Sequence, residues 1–140
     1  MTNIRDGEHA ARLRAAGLRP TRQRLALAKL LLAGPNRHVT AEQLHREAEA
    51  NGLRVSLATV YNTLHQFTEN QLMREVVVEP GRVYFDTNMA PHHHFYNVAT
   101  GKLTDINADS LEIRGLPVPP PGTEVAAIDV IVRVSNEKRN

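Results

Sequence analysis

At 140 residues the chain is long enough for one ordinary domain or two small ones and short for an elaborate enzyme. It contains no cysteine, which excludes a disulfide framework, a catalytic thiol and a thiolate zinc site. Met1 to Arg24 lacks the apolar stretch of a signal peptide, and no apolar run approaches the roughly 20 residues of a membrane span, so a cytoplasmic protein with no membrane partner is expected. The formal net charge is only +2 but is unevenly spread. Residues 1–37 hold eight Lys or Arg against Asp6 and Glu8, whereas from Asp86 onward five basic residues face seven acidic ones. A basic first half is the electrostatic footprint of a nucleic-acid binder, although a solvated helix face would leave the same trace.

In chain order, Gly7 to Ala16 reads either as a leading helix carrying Arg12 and Arg14 or as a frayed arm. Thr21 then precedes Leu25, Ala28, Leu31 and Leu32, apolar positions recurring at three and four, and Gly34-Pro35 stops the pattern. Thr40-Ala-Glu-Gln43 is a capping-box pattern opening a second helix that carries Leu44 and Ala48 and ends at Asn51-Gly52. Ser56 can cap a third helix with Leu57, Val60, Leu64 and Phe67 inward, leaving Ala58, Thr59, Asn62, His65 and Gln66 outward.

Two helices joined by a tight glycine turn, the second small and polar at its exposed start, match a helix-turn-helix whose second helix enters the major groove, although an ordinary three-helix core would show the same periodicity. Asn62 can bond adenine, Tyr61 suits the same position, and Ala58 and Thr59 can pack on thymine methyl groups. Arg19, Thr21, Arg22, Arg24 and Ser56 complete the candidate DNA-binding set of the helical half. Met73 to Val78 and Arg82 to Asp86, around Glu79-Pro-Gly81, read as two strands and a turn, a wing whose Arg82 can reach a phosphate.

Next comes Pro91-His92-His93-His94-Phe95. Positions i and i+2 of an extended chain share a face, so His92 and His94 can converge on one ion while His93 points away. Imidazole suits zinc, iron, copper and nickel, and Asp86, Asp105, Asp109 and Glu112 offer carboxylates nearby. A solvated turn is the alternative, and a facial-triad oxygenase or hydrolase is a remote one, with no nucleophile or substrate-pocket signature to support it. His9, His45 and His65 read as structural or solvated.

Ser56-Leu-Ala-Thr-Val-Tyr-Asn-Thr-Leu64, His38-Val-Thr-Ala-Glu-Gln-Leu44, His92-His-His94 and Gly101-Lys102, in this order and spacing, resemble the ferric uptake regulator family from about Gly17 to Val134. The resemblance implies a homodimeric winged-helix repressor whose last strands form the dimer interface and whose affinity for AT-rich palindromic double-stranded DNA depends on bound metal. It implies a hinge site made of His38, Asp86, His92, His94 and Asp105, for Fe(II), Mn(II) or Zn(II). Asp86 in place of glutamate is similar to the family's peroxide-sensing branch.

A second site in many members would use His93 and Glu112 here. The last strand, Glu124 to Val134, has no histidine, with Ile128 at the expected place and Asp129 as the possible substitute. Asn97 and Thr100 stand where many members carry a Cys-x-x-Cys, so a structural cysteine-bound zinc is excluded. The dimer would then rest on Val125, Ile128, Val130 and Val132, at roughly 25 cal/mol per Å² buried. The missing cysteines, the histidine triplet before Phe95 and Leu116-Pro-Val-Pro-Pro-Pro-Gly122 together resemble the iron response regulator branch, which implies control by iron status or by haem at His92, His93 and His94.

These readings give an α+β protein. A winged-helix DNA-binding domain over residues 1–85 is followed by a small α/β dimerisation domain over 86–140 with an antiparallel three-stranded sheet, which also carries the metal or haem sensor. The expected function is transcriptional regulation of iron or haem homeostasis, not catalysis. A peroxide-sensing or manganese- or zinc-responsive repressor of the same family is the alternative, and a haem or metal trafficking module, with no sequence-selective DNA binding, is that of another class.

Overall fold

The computed structural model describes residues 4–138. The chain divides into two compact units, Met1–Met89 and Ala90–Asn140. No helix among the described residues is long and apolar enough to cross a membrane.

The first unit contains α1 (Ile4–Ala15), α2 (Arg22–Leu32), β1 (His38–Val39), α3 (Ala41–Ala50), α4 (Leu57–Glu69), β2 (Arg74–Glu79) and β3 (Arg82–Asp86). Each helix from α2 onward starts where a hydroxyl can take up an orphan amide of its first turn. The Thr21 side chain accepts from the Arg24 N–H at 3.3 Å, Thr40 from Gln43 at 3.1 Å and Ser56 from Thr59 at 3.1 Å. α3 stops in a Schellman motif: the Leu53 N–H donates to the Ala48 carbonyl at 2.9 Å and Gly52 donates to Glu49 at 3.0 Å, with Gly52 at φ +77°. That sharp reversal separates the two helices of the helix-turn-helix by a few residues.

The buried stripe of α2 is Leu27, Ala28 and Leu31, rotated from the expected one so that Leu25 and Leu32 lie on its flanks. α4 buries Val60, Thr63, Leu64 and Phe67, and with Leu13, Val39, Leu44, Met73 and Phe85 these build one contiguous core. β1, β3 and β2 form an antiparallel sheet in that order, with Val39 opposite Phe85 and His38 opposite Asp86. β1 is an element that no sequence pattern pointed to: two extended residues, His38 and Val39, pair with the wing before Thr40 caps α3.

The second unit contains β4 (His92–Asn97), β5 (Leu103–Asn107), a 3-10 turn at 108–110 and β6 (Ile131–Val134). The sheet is three-stranded, in the order β5, β4, β6, but it is mixed rather than antiparallel: β4 pairs antiparallel with β5 and parallel with β6. A parallel neighbour needs a long return path, and residues 108–130 supply it. Pro117, Pro119, Pro120 and Pro121 remove backbone donors there, so this connection forms no α-helix. The last strand is also shorter than the expected Glu124–Val134: residues 124–129 have no ladder partner in the described chain, and β6 starts at Ile131. Tyr96 and Leu103 are the buried apolar side chains of this unit, whereas Phe95, Val98, Ile113, Leu116, Val118, Val125 and Ile128 are exposed.

Candidate functional site

β4 puts His92 and His94 on one face of the second unit, two residues apart. Asp105 of β5 stands directly opposite His94 in the ladder, on that same face. The Asp105 Oδ1 lies 3.4 Å from His94 Nε2 and 3.8 Å from His92 Nε2, and the two imidazole centroids are 4.5 Å apart. One ligand atom from each of the three falls within 4.8 Å of the others. Metal–ligand bonds of about 2.0–2.2 Å put neighbouring ligand atoms about 3 to 3.5 Å apart, so the three side chains need only a slight contraction to hold an ion. The His92 Nδ1 lies 2.7 Å from the Ala90 carbonyl oxygen, which can only accept. Nδ1 of the neutral ring therefore carries the proton, and Nε2, on the Asp105 side, keeps its lone pair. That orienting bond to a backbone carbonyl is what metal-ligating histidines ordinarily have.

His93 points to the other face and is used differently. The Val130 N–H donates to its Nδ1 at 3.0 Å, so that lone pair is taken and the neutral ring bears its proton on Nε2. Glu112 is exposed and accepts from Arg114 Nε at 2.8 Å, and Asp129 is exposed. Among the described residues, the potential ion-binding groups include none of His93, Glu112 and Asp129. In the first unit His38 is half-buried, faces Asp86 across the β1–β3 ladder and meets Tyr84 edge-on at 6.1 Å. Asp86 is buried, and its Oδ1 accepts from the Asn88 N–H at 2.9 Å.

The candidate DNA face lies on the first unit. Ala58 and Asn62 are exposed on α4, and Thr59 and Tyr61 are half-buried beside them. Ser56 Oγ, besides capping α4, donates to Thr59 Oγ1 at 2.9 Å. The Tyr61 hydroxyl donates to Glu42 Oε1 of α3 at 2.9 Å, and its pKa is raised, first by this bond, then by burial and by the charge of Glu42. Arg19, Thr21, Arg22 and Arg82 are exposed, and Arg82 lies 3.9 Å from Glu79. Arg24 is not an open cation: Nε and Nη2 donate to Gln66 Oε1 at 3.2 and 3.1 Å and Nη1 to the Arg19 carbonyl at 3.1 Å, which braces α2 against α4. His45 is also structural, with Nε2 2.9 Å from the Val55 carbonyl.

The sequence pattern of the ferric uptake regulator family matches residues 15–130. The chain belongs to the ferric uptake regulator family. Over 103 residues it is 35% identical to the ferric uptake regulation protein of Shigella flexneri, covering 73% of this chain and 70% of that one. Over 105 residues it is 30% identical to the peroxide-responsive repressor PerR of Staphylococcus epidermidis, covering 75% and 69%. The ferric uptake regulator of Pseudomonas aeruginosa, solved with manganese, superimposes with a TM-score of 0.73 at 26% identity, over 93% of this chain and 98% of that one. The family is one of DNA-binding transcription regulators, not enzymes, and its winged-helix unit followed by a small sheet-containing unit is the architecture found here.

Family membership implies a metal, and His92, His94 and Asp105 fit one by donor type and spacing. Nothing in their arrangement points to haem: the three imidazoles are 8% exposed or less, and the His93 Nδ1 already accepts from the Val130 N–H. Two residues of the candidate DNA face do not stand out in the sequence. Arg54 and Arg22 line a cleft of about 360 Å³ with Gln23, Gly52 and Leu53, and its only signal was an arginine in the turn of the helix-turn-helix. In the sequence Glu42 stands out only as part of a capping pattern, because its partner Tyr61 lies 19 residues away.

Proposed function

We propose that this chain is a homodimeric, metal-responsive transcriptional regulator of iron homeostasis that binds AT-rich palindromic DNA through α4 and the wing. The observation that carries the reading is the His92–His94–Asp105 cluster, a preformed donor set on the sheet of a chain whose other unit is a winged helix. His92 is held in the ligating tautomer by Ala90, and Asp105 supplies the negative charge that a divalent cation needs. In this reading His38 and Asp86, neighbours on the β1–β3 ladder, complete the ligand set from the DNA-binding unit. Mixed nitrogen and oxygen donors favour Fe(II), Mn(II) or Zn(II) over softer ions. A bound divalent ion supplies the positive charge around which both sets of ligands gather, and binding to one arrangement of the units shifts the population toward it.

The residues then do the rest. Ala58 and Thr59 present methyl groups and Asn62 an amide to base edges, while Arg19, Arg22 and Arg82 meet phosphates. The exposed apolar side chains of the second unit, Val125 and Ile128 among them, are covered by a second copy. The absence of cysteine and the proline-rich connection favour the iron response regulator branch over branches fastened by cysteine-bound zinc. Asp86 keeps a peroxide-sensing member as the second reading, told apart by histidine oxidation when the iron-loaded protein meets peroxide.

The decisive experiment is a fluorescence-anisotropy titration of an AT-rich palindromic duplex with metal-free and Mn(II)-loaded protein. Binding at least tenfold tighter with Mn(II), reversed by chelator, is expected. Equal binding by the two forms would overturn the reading.

A further inference from the structure

The Tyr61–Glu42 hydrogen bond joins the two helices of the helix-turn-helix at an exposed position, on the surface where α4 meets DNA. A phenol has one proton to donate and lone pairs to accept, whereas a carboxylate can only accept. At 2.9 Å the contact therefore consumes the tyrosine proton. The ring plane is fixed as well, by stacking one turn along the helix on His65, with centroids 6.3 Å apart and planes 21° apart. His65 in turn meets Phe85 of the wing edge-on at 5.7 Å. Tyr61 is thus oriented from both sides.

We propose that Glu42 is a positioning and specificity-determining residue that fixes the hydrogen-bonding polarity of Tyr61. With its proton committed to Glu42, the phenol oxygen faces DNA as an acceptor. It pairs with the exocyclic amine of adenine or cytosine in the major groove and is mismatched to the O4 of thymine and the O6 of guanine, which are acceptors themselves. The raised pKa of Tyr61 agrees, since it keeps the phenol protonated at any pH where the protein would bind DNA. Glu42 also places a negative charge beside the DNA backbone, which weakens binding to every sequence alike. The two effects are separable, because glutamine keeps an acceptor oxygen for the Tyr61 proton and removes the charge, at the cost of an amide donor in place of the second oxygen.

This inference rests on α4 being the DNA-reading helix, so the test measures both. Affinities of wild type, Glu42→Gln, Glu42→Ala, Tyr61→Phe and the Glu42→Ala/Tyr61→Phe double variant are taken on the palindrome, on each single-base replacement within one half-site and on a scrambled duplex. Glu42→Gln should bind all duplexes more tightly with the palindrome-to-scrambled ratio retained, which also shows that loss of the charge leaves the fold intact. Glu42→Ala should lower that ratio roughly tenfold, the size expected for the loss of one base contact. Its relaxation should fall at the same half-site position as that of Tyr61→Phe, with no further loss in the double variant. A wild-type preference that Glu42→Ala leaves unchanged, or relaxes at a different position from Tyr61→Phe, overturns the inference alone. A wild type with no preference for the palindrome overturns both the inference and the reading beneath it.

Discussion

Gln71, just past the end of α4, is the one residue other than glycine with positive φ among the described residues, at +61°. It occupies the position that Gly52 holds after α3: Leu72 donates to the Phe67 carbonyl at 2.9 Å and Gln71 to Thr68 at 3.1 Å, the same pair of closing bonds. A side chain in that conformation costs about 1 kcal/mol or more. Gln71→Gly is therefore expected to raise unfolding stability by about 1 kcal/mol in urea titration, part of the gain being offset by the freer unfolded chain. At the metal cluster, Asp105→Ala should lower Mn(II) affinity at least tenfold in calorimetric titration, with the far-ultraviolet circular dichroism unchanged because Asp105 is half-exposed. Glu112→Ala, whose carboxylate is paired with Arg114, should leave Mn(II) binding as it is. The alternation that sets His92 and His94 on one face was legible from adjacent residues. The engagement of His93 was not, because its partner is a backbone amide 37 positions away.

At the scale of elements, the helices were legible because their caps are local: Thr21, Thr40 and Ser56 each serve an amide three residues ahead. The wing announced itself through β-branched runs around Pro80-Gly81. β1 was invisible, since two residues carry no periodicity, and the parallel pairing of β6 was hidden because its register follows from a 23-residue connection rather than from any turn signal. Arg54 sits in the α3–α4 turn and lines a cleft together with Arg22, so in the proposed reading both can serve one stretch of phosphate backbone. Arg54→Ala should weaken binding to specific and scrambled duplexes equally, and the slope of log affinity against log salt should become shallower by about 0.9. A change confined to the palindrome would place Arg54 at a base edge instead.

At the scale of the whole molecule, the two units differ in how much core each possesses. The first unit has a closed core of fifteen buried apolar side chains, whereas the second has Tyr96 and Leu103 and leaves Val118 92% exposed and Val125 49% exposed. A unit this small, without disulfides or a core of its own, is marginal unless something covers it. Ile128→Asp should convert a dimer to a monomer by sedimentation equilibrium while the helical signal of the first unit persists. The thermal midpoint of the wild type should climb with protein concentration, as mass action requires of a fold completed by association. Under the proposed metal-responsive reading, the bare apolar side chains make copy number an input to the circuit. When such a regulator is scarce, more of its chains would be single and a given level of ion would organise fewer competent binders, so the dose-response to the ion would shift with the regulator's own expression.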